Sequence, residues 1–190
     1  DSTSSVEGFL YGFVANTTAG TVSMFRVADD KTELIDLNPA TPGYGVIPVG
    51  SFPTDLAVTQ DGCRVVVANS NSCDLSQIDV QGSLDVAASI REVPAGGVVS
   101  GIIPKTVDGP LRARPHEIVI VPSSVPDKGD ALCSATTEYR AFVSFPGCQL
   151  VAEIDLRSGM VVQGVMITET GYVFTDRPQC PAECLMRGES

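Results

Sequence analysis

Few residues of this chain have the means to do chemistry, and their pattern puts them close together. His116 is the only histidine among the 190 residues. Glu117 follows it at the head of an apolar run, PHEIVIV, residues 115–121. A matching run, PTDLAV at 53–58, sets Thr54 against His116 and Asp55 against Glu117. Carboxylates and an imidazole suit divalent cations, so Asp55, His116 and Glu117 make a candidate ligand or cation site. The competing and weightier reading has them capping strand ends and satisfying loop backbone groups. No Gly-x-Ser-x-Gly elbow, nucleotide-binding glycine loop or Cys-x-x-Cys-His haem attachment is present. The lone His116 has no recognisable partners for a Ser-His-Asp arrangement. No catalytic residue, metal or other cofactor is therefore expected.

The other reactive groups are six cysteines: Cys63, Cys73, Cys133, Cys148, Cys180 and Cys184. Their number is even and each lies near a turn or loop, which predicts a disulfide framework in an oxidising compartment: extracellular, periplasmic or cell surface. Zinc is disfavoured, because no Cys-x2-Cys pair occurs. The formal charge of −11 comes with no cluster of Lys and Arg. That excludes nucleic acid as a partner and disfavours anionic lipid surfaces. Apolar residues make up 43% and charged residues 18%, a composition that folds and buries a core as one domain of ordinary size. No apolar run approaches the roughly 20 residues of a membrane span. The opening DSTSSVEG has no basic segment of the signal-peptide kind and is compatible with a processed start. Asn16-Thr17-Thr18 fits a glycosylation acceptor, but Asn16 aligns with Asn69 below, which favours a turn role.

The elements that must position these groups read as β-strands. Leu56–Thr59 leads into Asp61-Gly62, a hairpin signal; 64–68 follows, then a small polar turn at 69–72 and a further run at 75–80. Parts of this unit recur. FVANTTAGTVSMFRV, 13–27, matches VVANSNSCDLSQIDV, 66–80, and YRAFVS with CQLVAEIDL, 139–144 and 148–156, matches the same strands again. Outer strands are expected at 86–93 and 160–167. The stretch 96–114 reads as a Gly/Pro-rich insertion and 122–137 as a long loop. A short strand is expected at 171–175 and another near 33–36. No helical period longer than the tail around 181–186 stands out, so the fold class is all-β.

The segment IPVGSFPTDLAVTQDGCRVVVANSNSCDLSQIDV, Ile47 to Val80, resembles the YVTN-type β-propeller repeat. The cysteine-bearing pieces DGC, SCDLS and FPGCQLVAEIDL are also similar to uncharacterised surface lipoproteins of myxobacteria. The resemblance implies β-propeller blades of four antiparallel strands, stacked face to face around a channel. Blades would span about 8–50, 51–96 and 115–168, with a Cys-containing tail at 169–190. The ring is incomplete within this chain, and the first blade lacks its inner strand. The open blade faces would meet the rest of the propeller or another protein chain. Asp55, His116 and Glu117 would lie near the channel mouth. Cys63 and Cys133 would share one face and pair through the long loop. Cys73 and Cys148 would occupy matching turns at the other face, with Cys180 and Cys184 paired together or one of them to Cys148. The function so implied is an extracellular or cell-surface scaffold for binding or assembly. The alternative is part of a lactonase-like or quinoprotein-like propeller enzyme.

Overall fold

A computed structural model describes residues 10–28, 31–35, 45–87, 98–123 and 138–184. The first antiparallel sheet holds β1 (Leu10–Asn16), β2 (Thr21–Val27), β3 (Thr32–Leu34) and β4 (Val46–Pro48). Both β3 and β4 pair with β2, along its second and first halves, so they form one interrupted outer strand. β1 is thus an edge strand among the described residues.

The second sheet runs in order through β5 (Pro53–Val58), β6 (Arg64–Asn69), β7 (Asp74–Asp79) and β8 (Val99–Ile102). Its outer strand differs from the sequence expectation. The stretch from Val80 to Ala87 is a helix, α1, and the fourth strand lies at β8, inside the segment read as an insertion. Asp79 decides this locally: its carboxylate accepts the Gly82 amide at 3.0 Å, a helix N-cap, and Ser83 Oγ donates back to its carbonyl at 2.8 Å. Most of the expected 86–93 strand lies outside the described residues. A small hairpin follows, β9 (Lys105–Thr106) with β10 (Gly109–Pro110). The third sheet has five strands in sequence order: β11 (Ile118–Pro122), β12 (Tyr139–Phe145), β13 (Leu150–Asp155), β14 (Val161–Thr168) and β15 (Gly171–Thr175). The last of these is the short strand expected at 171–175. Among the described residues, none of the sheets closes on itself.

The three large sheets stack face to face, and β6 shows why. Its run of β-branched residues alternates in burial direction with the period of two that a strand imposes. Val65 and Val67 join Val22, Met24 and Ile47 of the first sheet, whereas Val66 and Ala68 join Ala141, Val143 and Phe145 of the third. Every one of these side chains is buried. A fully buried Val, Leu or Ile stabilises by about 1.5–3 kcal/mol, and the middle sheet, buried on both faces, joins the two clusters.

The sheets also repeat in register. Each has a left-handed residue at the same turn: Gly20 with φ 65°, Cys73 with φ 53° and Gln149 with φ 53°. Four residues before it stand Asn16, Asn69 and Phe145, which end β1, β6 and β12. Asn16 Nδ2 donates to Thr21 Oγ1 at 3.1 Å and Ser23 Oγ at 2.9 Å. Asn69 Nδ2 donates to Asp74 Oδ1 at 2.8 Å and Ser76 Oγ at 2.9 Å, the same offsets of five and seven residues. Asn16 is therefore a turn clamp, and its amide is already engaged. In the third sheet all three positions turn apolar together: Phe145, Leu150 and Ala152, buried. Gly50 reaches across from the first sheet's linker, with Asn69 and Asp74 where its side chain would be, only 2.5 Å from an added Cβ.

Candidate functional site

The predicted trio sits where β5 and β11 run side by side. A register shift between Pro53 and Asp55 leaves Thr54 as the extra residue of a bulge, and a bulge re-aims its side chain. Thr54 Oγ1 donates to the His116 carbonyl of the neighbouring sheet at 2.9 Å. Asp55 uses both carboxylate oxygens on amides: Oδ1 accepts from Leu56 at 2.9 Å, and Oδ2 accepts from Ile118 of β11 at 2.9 Å. Thr54 and Asp55 together suture the second sheet to the third.

His116 and Glu117 occupy the equivalent places on the next sheet. The His116 amide donates to the Ser144 carbonyl at 3.0 Å, and Ser144 returns its amide to the Glu117 carbonyl at 3.0 Å. The Glu117 amide donates to Ser144 Oγ, also at 3.0 Å. Their side chains are exposed, and neither takes a hydrogen-bond partner from the described residues. Among the described residues, no three His, Cys, Asp or Glu side chains converge closely enough to hold a cation.

Asp55→Ala removes the acceptor of a buried cross-sheet amide. The expected cost is about 1–3 kcal/mol, read as a lower urea midpoint with an unchanged slope. Asp55→Asn retains one acceptor oxygen and is expected to fall between the two. An effect below a few tenths of a kcal/mol for Asp55→Ala would show that the suture does not hold the sheets.

Two carboxylates, Asp61 and Asp155, are held by turn hydrogen bonds. Burial alone would raise Asp61, but Thr59 Oγ1 at 2.6 Å and the Cys63 amide at 3.0 Å outweigh it and hold its pKa below the ordinary value. Asp155 behaves alike: burial would raise it, and donation from Ser158 Oγ and the Ser158 amide, both at 2.8 Å, brings it below. Arg140 at 3.6 Å adds to that lowering. A group whose folded pKa is depressed contributes stability that is fully present above its unfolded pKa of about 3.9 and disappears as pH falls through the folded value. Melting temperature is thus expected to hold steady above about pH 5 and drop below about pH 4, with Asp61→Asn flattening part of that drop. A profile unchanged by Asp61→Asn would contradict this.

The disulfides place the tail. Cys73 is bonded to Cys184 with a Cα separation of 6.0 Å, and Cys148 to Cys180 with 5.2 Å. The tail cysteines therefore bind two turns at one end of the stack and not each other. Glu183 fixes the strap between them: its amide donates to the Arg112 carbonyl at 2.8 Å, and its carboxylate accepts from the Arg114 amide at 2.7 Å. Cys63 is disulfide-bonded too; the pairing expected with Cys133 lies outside the described residues. Sequence spacing contained no sign of the Cys73–Cys184 bond, which spans 111 residues. A shallow groove of about 430 Å³ lies between β8, the β9–β10 hairpin and the 157–159 turn. Ser158 in its wall is occupied with Asp155.

What fold and site define is a mostly β protein of stacked antiparallel sheets, with disulfides that fit an oxidising compartment. No helix among the described residues is long and apolar enough to cross a membrane. No family model matches the chain, and no curated protein matches it. Among solved structures it is similar to Kuenenia stuttgartiensis hydrazine synthase, at 18% identity and a TM-score of 0.33. The match covers 90% of this chain and 55% of that one, so the chain spans about half the length of that relative. A likeness that loose carries neither fold nor function.

Proposed function

We propose that this chain is a β-propeller segment outside the cell or at its surface, acting as a scaffold for binding or assembly and not as a catalyst. One observation carries the reading: the two end faces of the stack present apolar side chains whose counterparts in the middle sheet are fully buried. On the first sheet Val14 is 49% exposed, while its counterparts Val67 and Val143, six residues before the left-handed turn, are fully buried. On the third sheet Phe142 is 37% exposed and Val151 38%, while Val66 and Leu75 at the same places in the second are fully buried. Solvated apolar patches of this kind mark interaction surfaces. The YVTN-like repeat, the common orientation of the sheets and the disulfide strap support the same reading.

The test uses an apolar fluorescent dye on the dilute, native chain. Uptake is expected, and Val14→Asp and Phe142→Asp should each reduce it without changing the strand-type circular dichroism. A monomer that takes up no dye has no open faces, and the scaffold reading fails.

A further inference from the structure

The two open faces are the two halves of one kind of interface. Each internal junction places one face of a sheet, the leading face, on the opposite or trailing face of the next. At the junction of second and third sheets, Val66, Ala68 and Leu75 of the leading face meet Val143, Ile154 and Leu156 of the trailing face. At the junction of first and second, Val22 and Met24 meet Val67, Ile78 and Val80. The trailing-face offsets from the turn are the same in both, and on the leading face Val22 and Leu75 share theirs.

Applied to the ends, those offsets leave one face of each kind uncovered. The first sheet shows a trailing face in which Val14, Phe25 and Val27 stand where Val67, Ile78 and Val80 stand in the second. The third sheet shows a leading face in which Phe142 and Val151 stand where Val66 and Leu75 do. Charge is compatible as well. The strand residues of the trailing face, 10, 12, 14, 16 on β1 and 21, 23, 25, 27 on β2, include no ionisable group. On the leading face Arg140 lies 3.6 Å from both Glu153 and Asp155, which leaves that face with surplus negative charge. Two leading faces would therefore repel, whereas a leading face on an uncharged trailing face would not.

From this we propose that a second copy of this chain covers the open faces, head to tail, the third sheet of each copy stacking on the first sheet of the other. The proposal rests on the scaffold reading and names its partner. A head-to-tail contact closes into a ring when its rotation allows, and two copies of three sheets give six, within the roughly four to eight that ring-closed stacks of sheets contain. The expected product is a closed dimer with two identical junctions.

Sedimentation of the full, disulfide-intact chain over a wide dilution series tests it. The expected result is a species of twice the 19.9 kDa chain mass that dissociates on dilution. Val14→Asp and Phe142→Asp should each raise the dissociation constant by about 100-fold or more, since either buries an unpaired carboxylate in both junctions. Mixing the two variants should restore association, because one junction of the mixed pair then joins two unaltered faces. Val27→Glu and Val151→Glu provide a second pair if either aspartate variant loses its strand spectrum. A wild-type monomer at every concentration overturns the proposal, and so does a dimer that survives one variant but not the other. A monomer whose dye uptake still falls with Val14→Asp and Phe142→Asp overturns the second copy as the occupant and leaves the open faces standing. A monomer without dye uptake removes both.

Discussion

Replacing Cys73 and Cys184 together by serine is expected to lower the unfolding free energy by about 4–5 kcal/mol, the largest loss that any pair of turn substitutions should produce here. The size follows from loop length. The bond closes 111 residues and removes that much closure entropy from the unfolded chain, whereas Cys148–Cys180 closes only 32 and is worth about 3.5 kcal/mol on the same basis. At about 2–4 °C per kcal/mol for a chain of this size, the melting temperature should fall by roughly 8–20 °C. The folded state contributes in the same direction, because the strap from the third sheet to the turn of the second ends at Cys184, and Glu183 beside it holds the backbone at Arg112 and Arg114. The Cys148→Ser, Cys180→Ser pair is the internal control. If it costs as much as the longer closure, or if neither pair costs anything, loop entropy is not what the tail supplies.

The strand-turn-strand units are readable from the chain because their cues are local. Asp61-Gly62 makes the turn that its dipeptide implies, with Gly62 at φ 72°, and the alternation of Thr21–Val27 follows the burial of Val22 and Met24. The matched positions of Thr54 with His116 and Asp55 with Glu117 are also real in register, since Asp55 lies opposite Ala68 and Glu117 bonds to its counterpart Ser144. What the Asp55 carboxylate does was not legible, because its partner, the Ile118 amide, is 63 residues away and belongs to another sheet. The helix at Val80–Ala87 was masked by Gly82 within it and by an apolar content that suits a strand equally. Its cue was the cap residue Asp79, which also ends the strand before it.

The shared cysteine misled by one residue. Cys148 looks like the counterpart of Cys73, yet the left-handed position in the third sheet belongs to Gln149. Glycine, cysteine and glutamine have no chemistry in common, so their equivalence appears only in backbone angles. The same blindness hides the change from Asn69, Asp74 and Ser76 to Phe145, Leu150 and Ala152. Three residues scattered over eight positions switch from a hydrogen-bonded set to an apolar one as a group, and each switch alone looks like a mismatch. A half-switched set would leave either an unpaired amide or a cavity between sheets.

That grouped switch makes Phe145→Ala the second large effect, at about 3–5 kcal/mol and roughly 6–20 °C in melting temperature. Phe145 is fully buried between the second and third sheets, where it packs in one cluster with Leu150, Ala152, Val66 and Ala68. The space it vacates cannot readily collapse, because the turn Pro146–Cys148 that follows it is held at Cys148 by the bond to Cys180. The cost should therefore lie toward the top of the range for a lost aromatic side chain, where cavity volume adds to lost transfer energy. Phe142→Ala, three residues earlier on the same strand, is the matched comparison. That side chain is 37% exposed on the leading face, and below the concentration of self-association its loss should cost less than about 1 kcal/mol. Urea unfolding of the two variants separates them, with the slope unchanged if both keep the native fold. Equal midpoints would mean that the second and third sheets are not packed through Phe145, and the stacked order of the sheets would have to be redrawn from that junction outward.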